Sequence, residues 1–180
     1  MFSSTRASPP FTKSLGAMSY SVLPTAEEHF AGLHDALDVV AREKQFLAFL
    51  QAPPLEETLA FYRHIVTNDL CQFVALQDRQ VVGWCDILPT HGEARAHVGH
   101  LGIGLVPHAR HKGLGAKLLE ATITKAHAKG ITRIELSVRT DNLNAKALYE
   151  KFGFKVEGVK CRYFLVGGHY HDAYEMALLR

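Results

Sequence analysis

The segment from Leu101 to Thr122 reads LGIGLVPHARHKGLGAKLLEAT and joins an apolar run to a helical pattern through a basic, glycine-containing turn. The turn, residues 110–116, stands at the predicted helix start. A helix N-terminus offers unpaired backbone N–H groups and partial positive charge, and glycines let a phosphate approach without an intervening Cβ. Arg110 and Lys112 are expected to add mobile positive charge, so the turn predicts a diphosphate site.

Taken alone, this turn permits a second interpretation. Its spacing matches neither the P-loop pattern GxxxxGK[ST] nor the dinucleotide pattern GxGxxG, which disfavours nucleotide hydrolases and Rossmann dehydrogenases. Short glycine-rich patterns are common, and Gly113 and Gly115 could serve only a tight strand-to-helix turn.

Hydrophobic periodicity extends the pattern on both sides of the turn. Thr25 and Glu28 have capping-box spacing for the first helix, and Gly130 ends the helix that follows the turn. A strand–helix–strand unit inside a run of hairpins predicts a mixed α/β sheet with a central parallel pair and helices on both faces. The predicted strands are 20–23, 71–76, 81–88, 94–106, 131–139, 154–166 and 170–179, and the predicted helices are 25–41, 55–66, 114–129 and 142–152.

Composition narrows the class of protein. The 180 residues contain 20 basic and 18 acidic side chains, a net charge of +2, which disfavours nucleic acid or an anionic membrane as partner. Three widely spaced cysteines argue against a disulfide framework and a thiolate zinc site, and favour a reducing cytoplasm. Residues 1–17 are expected to be a flexible tail dispensable to a single domain at 18–180, with Met18 as an alternative start.

Two motifs in the expected order resemble the GNAT superfamily of acetyl-CoA-dependent N-acetyltransferases. The first is Gln/Arg-x-x-Gly-x-Gly/Ala, matched by Arg110, Gly113 and Gly115. The second is a strand followed by Asn-x-x-Ala-x-x-Leu-Tyr and Gly-Phe, matched by Asn142, Ala145, Leu148, Tyr149, Gly153 and Phe154. The resemblance extends from about Phe73 to the C-terminus, and it implies a mostly antiparallel sheet of six to seven strands whose central parallel pair splays apart.

The resemblance also implies where acetyl-CoA would bind. The cofactor is expected between the splayed strands at 101–106 and 134–138, with its pantetheine arm paired to the backbone of Leu105 and Val106. Asn142 is expected to contact the pantetheine or phosphate arm. The N–H groups expected to hold the diphosphate belong to His111, Lys112, Gly113, Leu114, Gly115 and Ala116.

Acetyl transfer to an amine also needs groups that move protons. Tyr149 matches the family position whose phenol protonates the sulfur of coenzyme A, against the alternative of a purely structural core tyrosine. For the base that takes the proton of the amine, the sequence offers several candidates. The strand before the turn offers Glu93, His97 and His100, and His100 is selected because it is nearest the splayed end and because an imidazole can relay a proton from an ammonium through water.

No metal is expected at the site. His169 and His171 alternate along one predicted strand, but no third ligand has suitable spacing. Cys161 is expected to be a buried, unreactive thiol.

The leading functional hypothesis is acetylation of a primary amine on a small molecule such as an amino acid. The C-terminal stretch from Glu157 to Met176 resembles that of bacterial family members acting on free amino acids. The alternatives are acetylation of a protein N-terminus, as in ribosomal-protein-modifying members, and a coenzyme A sensor without catalysis. The family resemblance leaves a homodimer open.

Overall fold

The computed structural model describes residues 19–180, which form one seven-stranded sheet with helices on both faces. The predicted tail at residues 1–17 lies outside the described residues. The strands are β1 (Tyr20–Pro24), β2 (Cys71–Gln77), β3 (Gln80–Pro89), β4 (Val98–Leu105), β5 (Arg133–Arg139), β6 (Lys155–Val166) and β7 (His169–Leu179). The helices are α1 (Phe30–Arg42), α2 (Leu55–Thr67), α3 (Leu114–Ala128) and α4 (Leu143–Lys151).

The sheet has the order β1-β2-β3-β4-β5-β7-β6, and its neighbouring strands are antiparallel except for the central pair β4 and β5. This confirms the predicted mixed, mostly antiparallel architecture. Helix α3 supplies the crossover between the two parallel strands, as a parallel connection requires. None of the helices in residues 19–180 is long and apolar enough to cross a membrane.

The core lies between the sheet and its two helical layers. Ile134, Leu136 and Val138 of β5 are buried and alternate with partly exposed neighbours, as the period of two predicts. Helix α3 packs on β2 and β3, where Leu118 and Leu119 are fully buried, while α1 packs on β3 from the opposite face.

The first helix begins differently from the prediction. Thr25 does not cap it, because the Thr25 N–H donates to the Gln72 carbonyl at 3.1 Å and extends the pairing of β1 with β2. A 3-10 turn at Glu27–His29 precedes α1 instead. The His29 Nδ1 accepts the Ala26 N–H at 3.0 Å, so the predicted capping box between Thr25 and Glu28 is wrong.

Two further expectations are wrong. The strand predicted from residue 94 begins at Val98, because Glu93–Arg95 form a 3-10 turn held by Thr90, whose Oγ1 donates to the Arg95 carbonyl at 3.1 Å. Glu93 is therefore not on β4. Cys161 is exposed rather than buried, because it lies on β6, the edge strand of the sheet.

A large-to-small substitution in the α3 layer tests the core. Leu118→Ala is expected to lower the free energy of unfolding by about 2–5 kcal/mol, because it leaves a cavity beneath the sheet. Leu143→Ala is the matched control, since Leu143 is 68% exposed and its loss is expected to cost no more than about 0.5 kcal/mol. Urea unfolding measures both, and equal losses would contradict this assignment of the core.

Candidate functional site

The central parallel strands separate after a short pairing. The β4–β5 register contains three pairs, Val98 with Arg133, Gly99 with Ile134 and His100 with Glu135. Beyond His100, β4 remains paired with β3 up to Leu105, while β5 continues along β7 up to Arg139. The two strands therefore form an opening between residues 101–105 and 136–139.

The backbone of β4 presents hydrogen-bonding groups to this opening. The Thr90 N–H donates to Val98 O at 3.0 Å and the Val106 N–H donates to Val82 O at 2.9 Å, so even-numbered residues bond towards β3. The register of β3 with β4 has no bulge. Alternation therefore directs the N–H and C=O groups of Ile103 and Leu105 towards the opening.

This geometry differs from the expectation that Leu105 and Val106 both present backbone groups to a ligand strand. The Val106 N–H is bonded to β3, and its carbonyl accepts the Ala109 N–H at 3.0 Å, so Val106 has no backbone group left for a ligand strand. Leu105 retains its N–H, but its carbonyl accepts the Arg110 Nε–H at 2.9 Å. Ile103 is the residue that the sequence analysis missed, because the facing of alternate residues depends on the register with β3.

The turn after β4 places backbone donors at one point. Gly113 is the residue before α3 and has a φ of +77°, and a Cβ added there would meet nothing within 4 Å. Lys117 is the first residue of α3 whose N–H has a backbone acceptor, the Gly113 carbonyl at 3.2 Å. Within residues 19–180, no acceptor engages the N–H groups from His111 to Ala116. The turn is therefore built to receive an anion.

The two basic side chains of the turn differ from each other, and Arg110 does not supply the mobile charge that was expected of it. Arg110 donates to both carboxylate oxygens of Glu43, at the end of α1, and lies over the Phe46 ring at 5.3 Å. Its charge is neutralised, so it braces the end of β4 against α1 and does not supply mobile charge. Lys112 is exposed and donates to the Tyr20 hydroxyl at 3.0 Å. The remaining exposed basic groups near the turn are His108, His111 and Lys117.

A cleft of about 520 Å³ adjoins the open end of the strands. Gln45 and Phe46, from the segment between α1 and α2, line one wall, and Arg139 with residues 141–144 lines the other. Asn142 caps α4 by accepting the Ala145 N–H through its Oδ1 at 3.2 Å, which leaves its amide NH₂ as a donor. The volume lies in the range of small-molecule sites.

Tyr149 lies on α4 on the same sheet face as α3. Its ring is buried against Phe154, with ring centroids 5.8 Å apart. Burial raises the pKa of Tyr149, with a smaller contribution from the nearby Cys85 thiol, so the phenol remains protonated at neutral pH. Cys85 pairs with Ile103 across β3 and β4, which places the phenol close to the level of Ile103 in the opening.

His100 is exposed and stands at the last parallel pair, opposite Glu135 on one side and Leu88 on the other. It shares a sheet face with Gly102 and Gly104, because these residues alternate along β4. This is the face of α1 and α2, opposite the face that holds Tyr149. His100 therefore lies next to the opening, whereas His97 precedes β4.

Asp86 on β3 is a second residue that the sequence analysis missed. Burial raises the pKa of Asp86 to about 7, although a weak hydrogen bond from Gln72 at 3.4 Å acts in the opposite direction. The signal was present in the sequence, because Asp86 is the sole charged residue in the apolar run VVGWCDIL at 81–88.

Metal ligands do not gather at this site. Residues 19–180 contain no group of three or more His, Cys, Asp or Glu side chains that could hold a metal ion. His171 instead accepts a hydrogen bond from Arg139 at 3.0 Å and lies 3.9 Å from the Asp141 carboxylate, while His169 contacts the Gly167 carbonyl.

Comparison with known proteins gives one family. The model of the acetyltransferase (GNAT) family matches residues 36–154. The chain is 36% identical over 110 residues to L-amino acid N-acetyltransferase AaaT of Escherichia coli K12, covering 61% of this chain and 68% of that protein. It is also 36% identical over 76 residues to [ribosomal protein bS18]-alanine N-acetyltransferase of Salmonella typhimurium, covering 42% of this chain and 51% of that protein.

A solved structure shows the same architecture. The crystal structure of an acetyltransferase of the GNAT family from Streptococcus pneumoniae superposes with a TM-score of 0.83 and 28% sequence identity. The match covers 90% of this chain and 100% of that chain. The likeness therefore includes almost all of the described sheet and both helical layers.

A pair of isosteric substitutions at Gly113 tests the anion site. Gly113→Glu and Gly113→Gln incur the same backbone strain at positive φ, but only Glu places a carboxylate among the N–H donors. We expect Gly113→Glu to bind coenzyme A about tenfold or more weakly than Gly113→Gln in calorimetry, because like charges repel at close range. Equal affinities of the two variants for coenzyme A would show that the diphosphate does not bind at this turn.

Proposed function

Because the chain belongs to the acetyltransferase (GNAT) family, we propose that it transfers an acetyl group from acetyl-CoA to a primary amine of a small molecule such as an amino acid. The proposal rests on one observation, which is that two possible binding features of the site adjoin each other. The opening between β4 and β5 leads directly to the turn whose N–H groups lack internal acceptors. A long ligand with an anionic end and an amide-bearing arm fits that path.

In this proposal the diphosphate binds the N–H groups of residues 111–116, and the pantetheine arm lies along β4 like an added strand. Its amides pair with Ile103 and with the Leu105 N–H, following the logic of strand addition at an exposed edge. Asn142 donates its amide NH₂ from the opposite wall of the opening. These contacts direct the thioester towards the closed end of the opening, near Gly102 and Leu101.

The reaction forms one bond and breaks one. The neutral amine nitrogen attacks the thioester carbonyl carbon, and the tetrahedral intermediate then releases the sulfur with the electron pair of the C–S bond. Tyr149 donates its proton to that sulfur, and water returns to Tyr149 the second proton lost by the nitrogen. Overall, an ammonium and acetyl-CoA give an amide, the thiol of coenzyme A and one proton, which His100 relays to solvent from its exposed position on β4.

Support for a small amine comes from the similarity to AaaT, an L-amino acid N-acetyltransferase that is 36% identical to this chain over 110 residues. A protein N-terminus is the second acceptor class, since it presents the same primary amine. A coenzyme A sensor is disfavoured because the chain retains the Tyr149 phenol at the opening.

Tyr149→Phe tests the acid. We expect kcat to fall about 10²–10⁴-fold while coenzyme A affinity stays near that of the wild type, because the ring is kept and only the proton donor is lost. Tyr170→Phe is the control, since Tyr170 is 58% exposed at the start of β7. An unchanged kcat for Tyr149→Phe would make Tyr149 a packing residue.

A turnover screen tests the acceptor class. Free coenzyme A is measured after incubation of the full chain with acetyl-CoA and, separately, with L-amino acids, simple alkylamines and short peptides having free N-termini. Faster turnover of free amino acids or alkylamines than of peptides is the expected result. Turnover of peptides alone would assign the protein-acetylating class, and binding of coenzyme A without any turnover would assign the sensor.

A further inference from the structure

We propose that Asp86 binds the ammonium form of the acceptor and is the first group to take its proton, an assignment that rests on the proposed acetyl transfer. Asp86 lies on β3 directly opposite Gly102 of β4. A Cβ added at Gly102 would be 3.0 Å from Asp86 Oδ1. The missing side chain at Gly102 therefore lets the carboxylate lean over β4, beside the opening in which the thioester would lie.

The two oxygens of this carboxylate have different surroundings. Oδ2 accepts the Gln72 Nε2–H at 3.4 Å, whereas no described residue donates a hydrogen bond to Oδ1. Oδ1 is also not among the fully buried side-chain atoms without a partner, so it is open to a ligand. Trp84 covers the neighbouring Gly104, where an added Cβ would be 2.3 Å from the indole. The carboxylate is thus held between an apolar wall and the open edge.

Asp86 has no internal cation. None of the salt bridges among residues 19–180 includes it. The titratable groups nearby are Tyr62 from α2, His100 on the same face of β4, and Cys85 on the opposite face of β3. Beyond His100, Glu135 of β5 is neutralised by Arg95 and Arg133. A partly buried carboxylate without a cation is costly, so an arriving ammonium provides the missing partner.

Gln72 can hydrogen-bond to Asp86 in both protonation states of the carboxyl group. It is 2% exposed, and its Oε1 is buried without a partner. The amide now donates through Nε2 to the carboxylate, and a 180° rotation would present Oε1 to accept the O–H of the carboxylic acid. Asp86 can therefore hold a proton without leaving a new unpaired donor.

The position of Asp86 complements that of Tyr149. Asp86 pairs with Gly102 on the face of α1 and α2, while Cys85, next to the Tyr149 phenol, pairs with Ile103 and faces α3. The proposed acid Tyr149 and the proposed base Asp86 thus lie beside consecutive residues of β4, on opposite faces of the sheet. The ammonium gives one proton to the Asp86 carboxylate, the freed nitrogen lone pair attacks the thioester carbon, and the carboxylic acid returns its proton to solvent through His100.

Asp86→Asn tests the assignment against Asp35→Asn, an exposed aspartate on α1. We expect Asp86→Asn to lower kcat/KM about 10²–10⁴-fold at pH 7, with unchanged coenzyme A affinity. Its melting temperature is expected to be no lower than that of the wild type, because the substitution removes a charge that has no internal cation. In the wild type and in Asp35→Asn, kcat/KM rises with pH through a midpoint near 7, because the carboxylate form is the active one. Asp86→Asn loses that rise, and its deficit shrinks at high pH as the acceptor loses its proton in solution.

A loss that is equal at every pH and accompanied by weaker coenzyme A binding would make Asp86 structural and overturn the proposal. His100→Gln separates the two steps of the relay, the first proton transfer to Asp86 and the later transfer through His100. Its loss is expected to be smaller than that of Asp86→Asn, and the reverse order would transfer the first proton to His100.

A measurement independent of turnover keeps the two proposals apart. Carbon-13 NMR follows the Asp86 carboxyl, identified by its absence in Asp86→Asn, in the coenzyme A complex with and without propylammonium. We expect propylammonium to move the titration midpoint to lower pH, because a neighbouring cation favours the carboxylate. If the screen finds no amine substrate, the proposed function fails. The change in the Asp86 titration midpoint still shows whether Asp86 binds an ammonium group. An unmoved midpoint would overturn the role of Asp86.

Discussion

The brevity of the contact between β4 and β5 is the constraint on which the site depends. β4 makes seven residue pairs with β3, and β5 makes seven with β7, but the two strands share only three pairs with each other. Each strand therefore follows its antiparallel neighbour and diverges from its parallel one. Divergence exposes backbone groups in the middle of the sheet, where a closed ladder would have used them internally.

Several contacts from distant parts of the chain hold the opening in place. Arg110 links the end of β4 to Glu43 of α1 and to the Leu105 carbonyl, so the turn cannot move independently of the first helix. Gly115 allows α3 to approach α4, where an added Cβ would be 3.2 Å from Leu148. A ligand in the opening would thus meet walls that are already ordered, which lowers the entropic cost of binding.

The two faces of the sheet offer different chemistry at the opening. The α3 and α4 face supplies a buried phenol, whose pKa is raised and which therefore stays protonated. The opposite face supplies Asp86, whose titration falls near neutral pH, and the exposed His100. In the proposed mechanism an amine approaches from one face while the leaving sulfur is protonated from the other, and strand alternation accounts for this separation of the proposed acid and base.

The sequence by itself determined the features that depend on neighbouring residues. These are the element order, the alternation along β5, and the helix start with its glycines. Turn chemistry and periodicity act over a few positions, so they are readable without a fold. Only the tertiary structure decided that Ile103, and not Val106, directs its backbone groups towards the opening, that Glu43 neutralises Arg110 from 67 residues away, and that Asp86 leans over Gly102. Each of these depends on register between strands or on packing between remote helices, and a one-residue change in register would reverse which groups face the opening.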